Sequence, residues 1–148
     1  MTDCIRYGTG YKYQLRAGYA VRIPELADPE RLPIVTDWID LDPDGTLRIR
    51  PGYAWDGASG PTYDSKSSMR PSLVHDALYQ LMRMELLDRE QWRDEADAIF
   101  RRMCKEDGMW SLLASVWHFM VRRFADPAAD PASQAPDECA PCACEVCK

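Results

Sequence analysis

A chain of 148 residues with a formal net charge of −6, 46% of it hydrophobic, has the apolar material for one cored domain and too little length for two. The acidic balance argues against a nucleic-acid surface, which needs clustered Lys and Arg; Arg101-Arg102 and Arg122-Arg123 read instead as solvated helix faces. No window is long and apolar enough for a membrane span, and the start, Met1-Thr2-Asp3-Cys4-Ile5-Arg6, lacks the apolar core of a signal peptide, so synthesis and folding in the cytoplasm are expected.

Residues 10–54 read as β structure. Tyr11-Lys12-Tyr13-Gln14-Leu15 alternates, and Tyr19-Ala20-Val21-Arg22-Ile23 follows Gly18. Residues 34–41 are expected as a further strand, alternating from Thr36 onward. Asp42-Pro43-Asp44-Gly45 then makes a turn into Thr46-Leu47-Arg48-Ile49-Arg50, the clearest hairpin in the chain. Pro24 and the stretch from Pro29 to Pro33 mark an irregular connection.

From residue 70 the apolar period becomes helical. Pro71-Ser72 is expected to start a helix that runs to about Met84, with Val74, Leu78, Leu81 and Met82 as its core stripe. Asp88 is a candidate N-cap for a second helix carrying Trp92, Ala96, Ile99, Phe100 and Met103, which Gly108 ends. A third helix spans about Trp110 to Phe124, with Leu113, Val116, Trp117, Met120, Val121 and Phe124 expected inward. The class is therefore α+β: an N-terminal antiparallel β-sheet, then a three-helix C-terminal half and a Cys-rich tail. Three segments are expected: one domain over 1–124, a Pro/Ala linker over 125–137, and the tail over 138–148.

The richest chemistry lies between sheet and helices. Trp55-Asp56-Gly57-Ala58-Ser59-Gly60-Pro61-Thr62-Tyr63-Asp64 is a Gly/Ser/Pro loop carrying acids, and it runs into Leu73-Val74-His75-Asp76-Ala77-Leu78-Tyr79. His75 and Tyr79, four apart, share one helix face, while Asp76 turns about 100° away. If the first two helices pack antiparallel, Asp97 meets His75 and fixes its tautomer, giving a His-carboxylate dyad able to activate water. Asp56, Asp64 and Asp76, with loop carbonyls, make a candidate site for a hard cation such as calcium. The plainer reading has His75 and Tyr79 in a buried hydrogen-bond network and Asp56 and Asp64 as turn residues.

Four cysteines fall in Cys139-Ala140-Pro141-Cys142-Ala143-Cys144-Glu145-Val146-Cys147, a C-x2-C-x-C-x2-C spacing. Two C-x2-C knuckles can each aim two thiolates at one metal, so Cys139, Cys142, Cys144 and Cys147 are candidate ligands of zinc or an iron-sulfur cluster. Disulfides or free thiols are the alternatives. The span is short for four ligands on one ion. Cys4 or Cys104 could replace a ligand, or neighbouring chains could share one in a homo-oligomer.

The order Gly-x-Ser-Gly-Pro-x-x-Asp followed by His-Asp-x-x-Tyr resembles the calcium loop and catalytic helix of secreted phospholipase A2. That resemblance implies His75 as the water-activating base, Asp76 as a calcium ligand, Asp97 as the group that orients His75, and Tyr79 in support. The chain departs from that family at Ser72 and Leu73, where paired cysteines stand, in lacking its disulfide network, and in its early calcium-loop pattern. A broader resemblance, over about residues 11–124, is to a bacteriophage and prophage family known as domain of unknown function 1353. It rests on Gly52-Tyr53-Ala54-Trp55-Asp56-Gly57-Ala58-Ser59-Gly60-Pro61, on residues 72–83 with their His-Asp-x-x-Tyr core, and on residues 93–100 with Ala96-Asp97. It implies a small phage-encoded protein made in the host cytoplasm, encoded near tail or lysis genes. The Cys tail departs from that family's usual pattern.

Two functions are expected first, with a redox or metal-sensing accessory protein built on the Cys tail as a third. One is a phage structural or assembly protein of the tail or baseplate, incorporated in the virion, whose Cys tail clamps a neighbouring protein through its metal. The other is a metal-dependent hydrolase of lipid or peptidoglycan that uses His75 and Asp97.

Overall fold

The alternating N-terminal half folds into short antiparallel strands, and the helical half into three helices, the α+β arrangement that the pattern predicts. A computed structural model of the chain describes residues 5–7, 12–57, 66–124, 129–133 and 138–140. The described strands are β1 (Ile5–Tyr7), β2 (Tyr13–Gln14), β3 (Tyr19–Arg22), β4 (Ile34–Val35), β5 (Ile39–Leu41), β6 (Thr46–Ile49), β7 (Ala54–Trp55) and β8 (Glu138–Ala140). The helices are α1 (Lys66–Arg83), α2 (Arg89–Glu106) and α3 (Ser111–Phe124).

A four-stranded sheet in the order β3-β6-β5-β4 forms one wall of the core. Ile39, Leu41, Leu47 and Ile49 point inward and are fully buried, while Arg48 between them is exposed. The β5–β6 turn closes as expected: Gly45 N donates to Asp42 O at 3.0 Å and Thr46 N to Asp44 Oδ1 at 2.9 Å. Gly45 has φ +85°, and a Cβ there would stand 2.3 Å from the Ile23 carbonyl oxygen, so no side chain fits.

Residues 34–41 are not one strand. They fold back as β4 and β5, paired antiparallel with Ile34 opposite Leu41. Thr36 turns the chain: its Oγ1 accepts from Ile39 N at 2.8 Å and donates to Ile39 O at 2.7 Å. A side chain that satisfies the local backbone competes with the ladder, and here it wins.

Helix α1 starts five residues before Pro71 rather than at it, so Pro71 lies inside the helix. Proline in a helix interior ordinarily destabilises it. Tertiary contacts override that preference here. Ser68 is fully buried, and Arg70 reaches across to Asp107 at the end of α2, with contacts of 2.6–3.0 Å, and to Tyr19 Oη at 3.3 Å. Helix α2 follows the reading closely: Asp88 caps it by accepting from Gln91 N at 3.1 Å, and Gly108, at φ +92°, lies just beyond its end.

Helix α3 has the expected extent and a different facing. Ala114 and Trp117 are buried, whereas Leu113 and Val116 are 40% and 48% exposed and Met120 is half-buried. Trp117 stacks on Phe100 at 6.4 Å, and Arg101 Nη2 donates to Ser115 Oγ at 3.0 Å. These two contacts with α2 turn the helix so that a narrow face meets the core. Trp110, Leu113, Val116 and Phe119 are left facing outward. The side chains of Val121 and Phe124 lie outside the described residues.

Beyond α3, residues 129–133 stay on the domain. Ala129 is fully buried, and a 3-10 turn over Pro131–Ser133 lies against α1. The Pro/Ala stretch carries no core-forming pattern, since a lone alanine makes no periodic signal, yet Ala129 packs. Strand β8 pairs antiparallel with β1, Arg6 opposite Cys139. Among the described residues, no helix is long and apolar enough to cross a membrane.

Candidate functional site

Helices α1 and α2 pack against one another and bring three polar side chains into the core. His75 and Tyr79 share the inner face of α1, and Asp97 sits on the buried stripe of α2 between Ala96 and Phe100. His75 Nε2 lies 2.8 Å from Asp97 Oδ1, and Tyr79 Oη donates to the same oxygen at 2.6 Å. The exposure of Asp97 is 0% and that of His75 is 6%, so this is an interior network. The antiparallel meeting of His75 and Asp97 expected from the sequence is therefore what the structure holds.

A buried carboxylate survives only where hydrogen bonds compensate for lost water. Oδ1 of Asp97 has two partners, and Oδ2, also buried, has none among the described residues. Two donors on one oxygen fix the carboxylate rotation. The carboxylate in turn selects the imidazole tautomer that carries its proton on Nε2. The ring is held further by Tyr79, whose centroid lies 4.0 Å away, and by Phe100 at 5.3 Å.

The other ring nitrogen, Nδ1, faces Asp76 Oδ1 at 4.0 Å, too far for a hydrogen bond and near enough for charge to act. Burial pushes the His75 pKa down, but the carboxylates of Asp76 and Asp97 outweigh it and hold the pKa above the ordinary imidazole value. Asp76 itself is partly accessible.

Asp56 follows β7 and is exposed at its edge. Partial burial and the nearby charge of Asp76 push its pKa up, against a hydrogen bond from the Lys12 backbone. The two carboxylates thus feel one another, the like-charge proximity that a bound cation would relieve. Asp64, the third acid proposed for a cation, lies outside the described residues, as do Cys142, Cys144 and Cys147. Cys139 lies in β8, where only its backbone is described. No group of three or more His, Cys, Asp and Glu side chains placed to hold a metal occurs among the described residues.

Two features of the site were not read from the sequence. Trp55 Nε1 donates to Ser72 Oγ at 3.1 Å, and Ser72 Oγ donates to Met69 O at 2.9 Å, which fastens the loop's first residue to α1 one turn before His75. The ring of Phe100 against His75 was the other. Its three-residue offset from Asp97 on α2 was the available signal, since residues so spaced share a face.

No family model, curated protein or solved structure matches the chain. The two resemblances noted in the sequence accordingly rest on the quoted residues alone.

Proposed function

We propose that the chain is a hydrolase whose water-activating base is His75, oriented by Asp97 and Tyr79. The observation that carries this reading is the 2.8 Å contact of His75 Nε2 with Asp97 Oδ1, shared with the Tyr79 hydroxyl, in a water-poor setting. With its Nε2 proton committed to Asp97, the imidazole keeps its lone pair on Nδ1. In this reading Nδ1 takes a proton from water as the oxygen attacks an ester or amide carbonyl carbon. The imidazolium so formed is stabilised by Asp97, and its proton passes to the leaving group as the acyl bond breaks. Asp97 is a positioning residue here, and Tyr79 positions Asp97.

A raised His75 pKa means that the base becomes available only at a higher pH than an ordinary imidazole would. A cation held by Asp76 and Asp56 would draw on Asp76's negative charge and so release His75 toward its basic form. Calcium, where bound, would also polarise a substrate carbonyl. The two described carboxylates would supply a fraction of the six to eight oxygens that calcium takes, so backbone carbonyls and water would have to complete the shell.

The substrate classes to test are phospholipid esters and peptidoglycan. The chain should be assayed on each, with calcium and with a chelator, beside His75→Ala. Turnover by the wild type that the variant loses while circular dichroism shows it still folded, at a melting temperature lowered by the donor taken from Asp97, is the expected result. Turnover that persists in His75→Ala, or its absence from the wild type on both substrates, would sink the reading.

A second reading has one observation on its side. The exposed apolar stripe of Trp110, Leu113, Val116 and Phe119 is the kind of surface that marks a protein contact. It suits a phage tail or baseplate protein whose Cys139, Cys142, Cys144 and Cys147 hold zinc or an iron-sulfur cluster against a neighbour. Mass spectrometry of purified, infectious particles tests it: absence of the chain would count decisively against it.

A further inference from the structure

A basic groove runs between α2 and α3 in a chain that is acidic as a whole. Arg101, Arg102 and Lys105 line it from α2, with Asp94; His118 and Arg122 line it from α3, around a volume of about 340 Å³. That is near the lower end of small-ligand sites, roughly 300–1,000 Å³.

The pairing inside the groove is lopsided. Asp94 is shared by Arg93 and Arg122, each at 3.3 Å. Arg102 is occupied by Glu25 at 2.7 Å and by Glu106. Arg101 bonds the Ser115 hydroxyl, and neither it nor Lys105 meets a carboxylate among the described residues. Arg101 and Lys105 are four apart on one helix face, a like-charge spacing that costs stability when nothing offsets it. His118 stands among them. Burial and the charges of Arg101 and Arg122 hold its pKa below the ordinary value, against Asp97 and Asp94. It therefore adds a neutral ring with one N–H rather than another charge.

Two uncompensated cations, a further guanidinium and a neutral N–H around one small concavity form a donor set without acceptors to spare. Guanidinium forks and an ammonium suit tetrahedral oxyanions in particular. We propose that the α2–α3 groove is a binding site for a phosphate group, held by Arg101, Lys105 and Arg122 with His118 as an additional donor. The phosphate belongs either to a soluble phosphoester or to a lipid headgroup; the recognition chemistry is the same. The proposal stands on the groove alone and does not need the dyad to be catalytic.

The test is calorimetric titration of the full chain with inorganic phosphate at low ionic strength, where exposed charges are least screened. In parallel, the chain is sedimented with phosphatidylglycerol vesicles and with phosphatidylcholine vesicles. Lys105→Gln, at an exposed position, and Arg101→Gln/Lys105→Gln are compared with the wild type, with folding checked by circular dichroism. The expected result is saturable one-site phosphate binding, weakened about tenfold by Lys105→Gln and further in the double variant. Binding to phosphatidylglycerol vesicles alone, lost in Lys105→Gln, would assign the phosphate to a lipid headgroup. If neither phosphate nor anionic vesicles bind, or if both variants bind as the wild type does, the proposal is overturned.

Discussion

Replacing Asp97 by Asn keeps the shape of the dyad and removes its charge. The wild-type carboxylate meets His75 Nε2 at 2.8 Å with no exposure to water, so its charge acts on the imidazolium almost unscreened. An opposite charge at that range favours the charged ring and helps hold the His75 pKa above its ordinary value against burial, and a hydrogen bond to a charged group is worth about 1.5–3 kcal/mol. Without it, burial is opposed only by Asp76 at 4.0 Å, and the His75 pKa should fall below its ordinary value. The sign of the stability change follows. In the wild type, where the folded pKa is raised, the stabilisation from His75 is complete below the unfolded pKa near 6.5 and is lost as pH rises through the folded value. In Asp97→Asn the folded pKa is depressed, so the contribution reverses: stability rises as pH climbs from that lowered value toward about 6.5. The assay is thermal unfolding of both chains across pH 5–9, with His75 followed by NMR. There are two histidines, so His118→Gln identifies the signals. A His75 midpoint in Asp97→Asn that stays above the ordinary value, or parallel stability–pH curves, would refute the electrostatic coupling. On any substrate that the wild type turns over, kcat should drop about 10³–10⁴-fold, since an amide favours the wrong tautomer.

Three further outcomes are expected. Tyr79→Phe removes the 2.6 Å bond to Asp97 and leaves a buried carboxylate with one donor fewer, so urea unfolding should show a loss of about 1–3 kcal/mol. Gly45→Ala should destabilise far more than Gly108→Ala: both have positive φ, but the first Cβ would strike the Ile23 carbonyl and the second meets nothing within 4 Å, leaving strain of about 1 kcal/mol. Equal losses in denaturant melts would contradict that geometry. Cys104 is buried and its thiol is pushed up to about 12, chiefly by burial, so mass spectrometry after brief native alkylation at pH 8 should find it unlabelled, and labelled once urea is added.

Much of this arrangement was legible in the sequence because it rests on period and capping. The turn at Gly45, the cap at Asp88 and the stripe of α2 announce themselves locally. So did the dyad: His75 and Tyr79 are four apart, and an acid stands among the apolar positions Ala96, Ile99 and Phe100. Two of the misses were decided by distant partners and one by a local side chain. Nothing near Pro71 reveals that Arg70 will find Asp107, which holds a helical turn upstream of a proline. Thr36 breaks a strand through its own hydroxyl, in a stretch whose alternation argued for continuity. The facing of α3 depends on which of its apolar residues Phe100 stacks against, a choice that periodicity leaves open because nearly every side of that helix is apolar somewhere.

The pairing of β1 with β8 bears on how the chain reaches this state. Tyr7 and Glu138 are neighbours across a ladder and lie about 130 residues apart along the backbone. The entropy of closing so long a loop falls steeply only if the intervening chain has already condensed. This ladder should therefore form after the helices and the four-stranded sheet, and open before them. Amide hydrogens in β1 and β8 should exchange with solvent by local opening, at a small fraction of the free energy needed to release those of α1 and α2. The two ends would then act as a clasp that can open while the dyad stays folded.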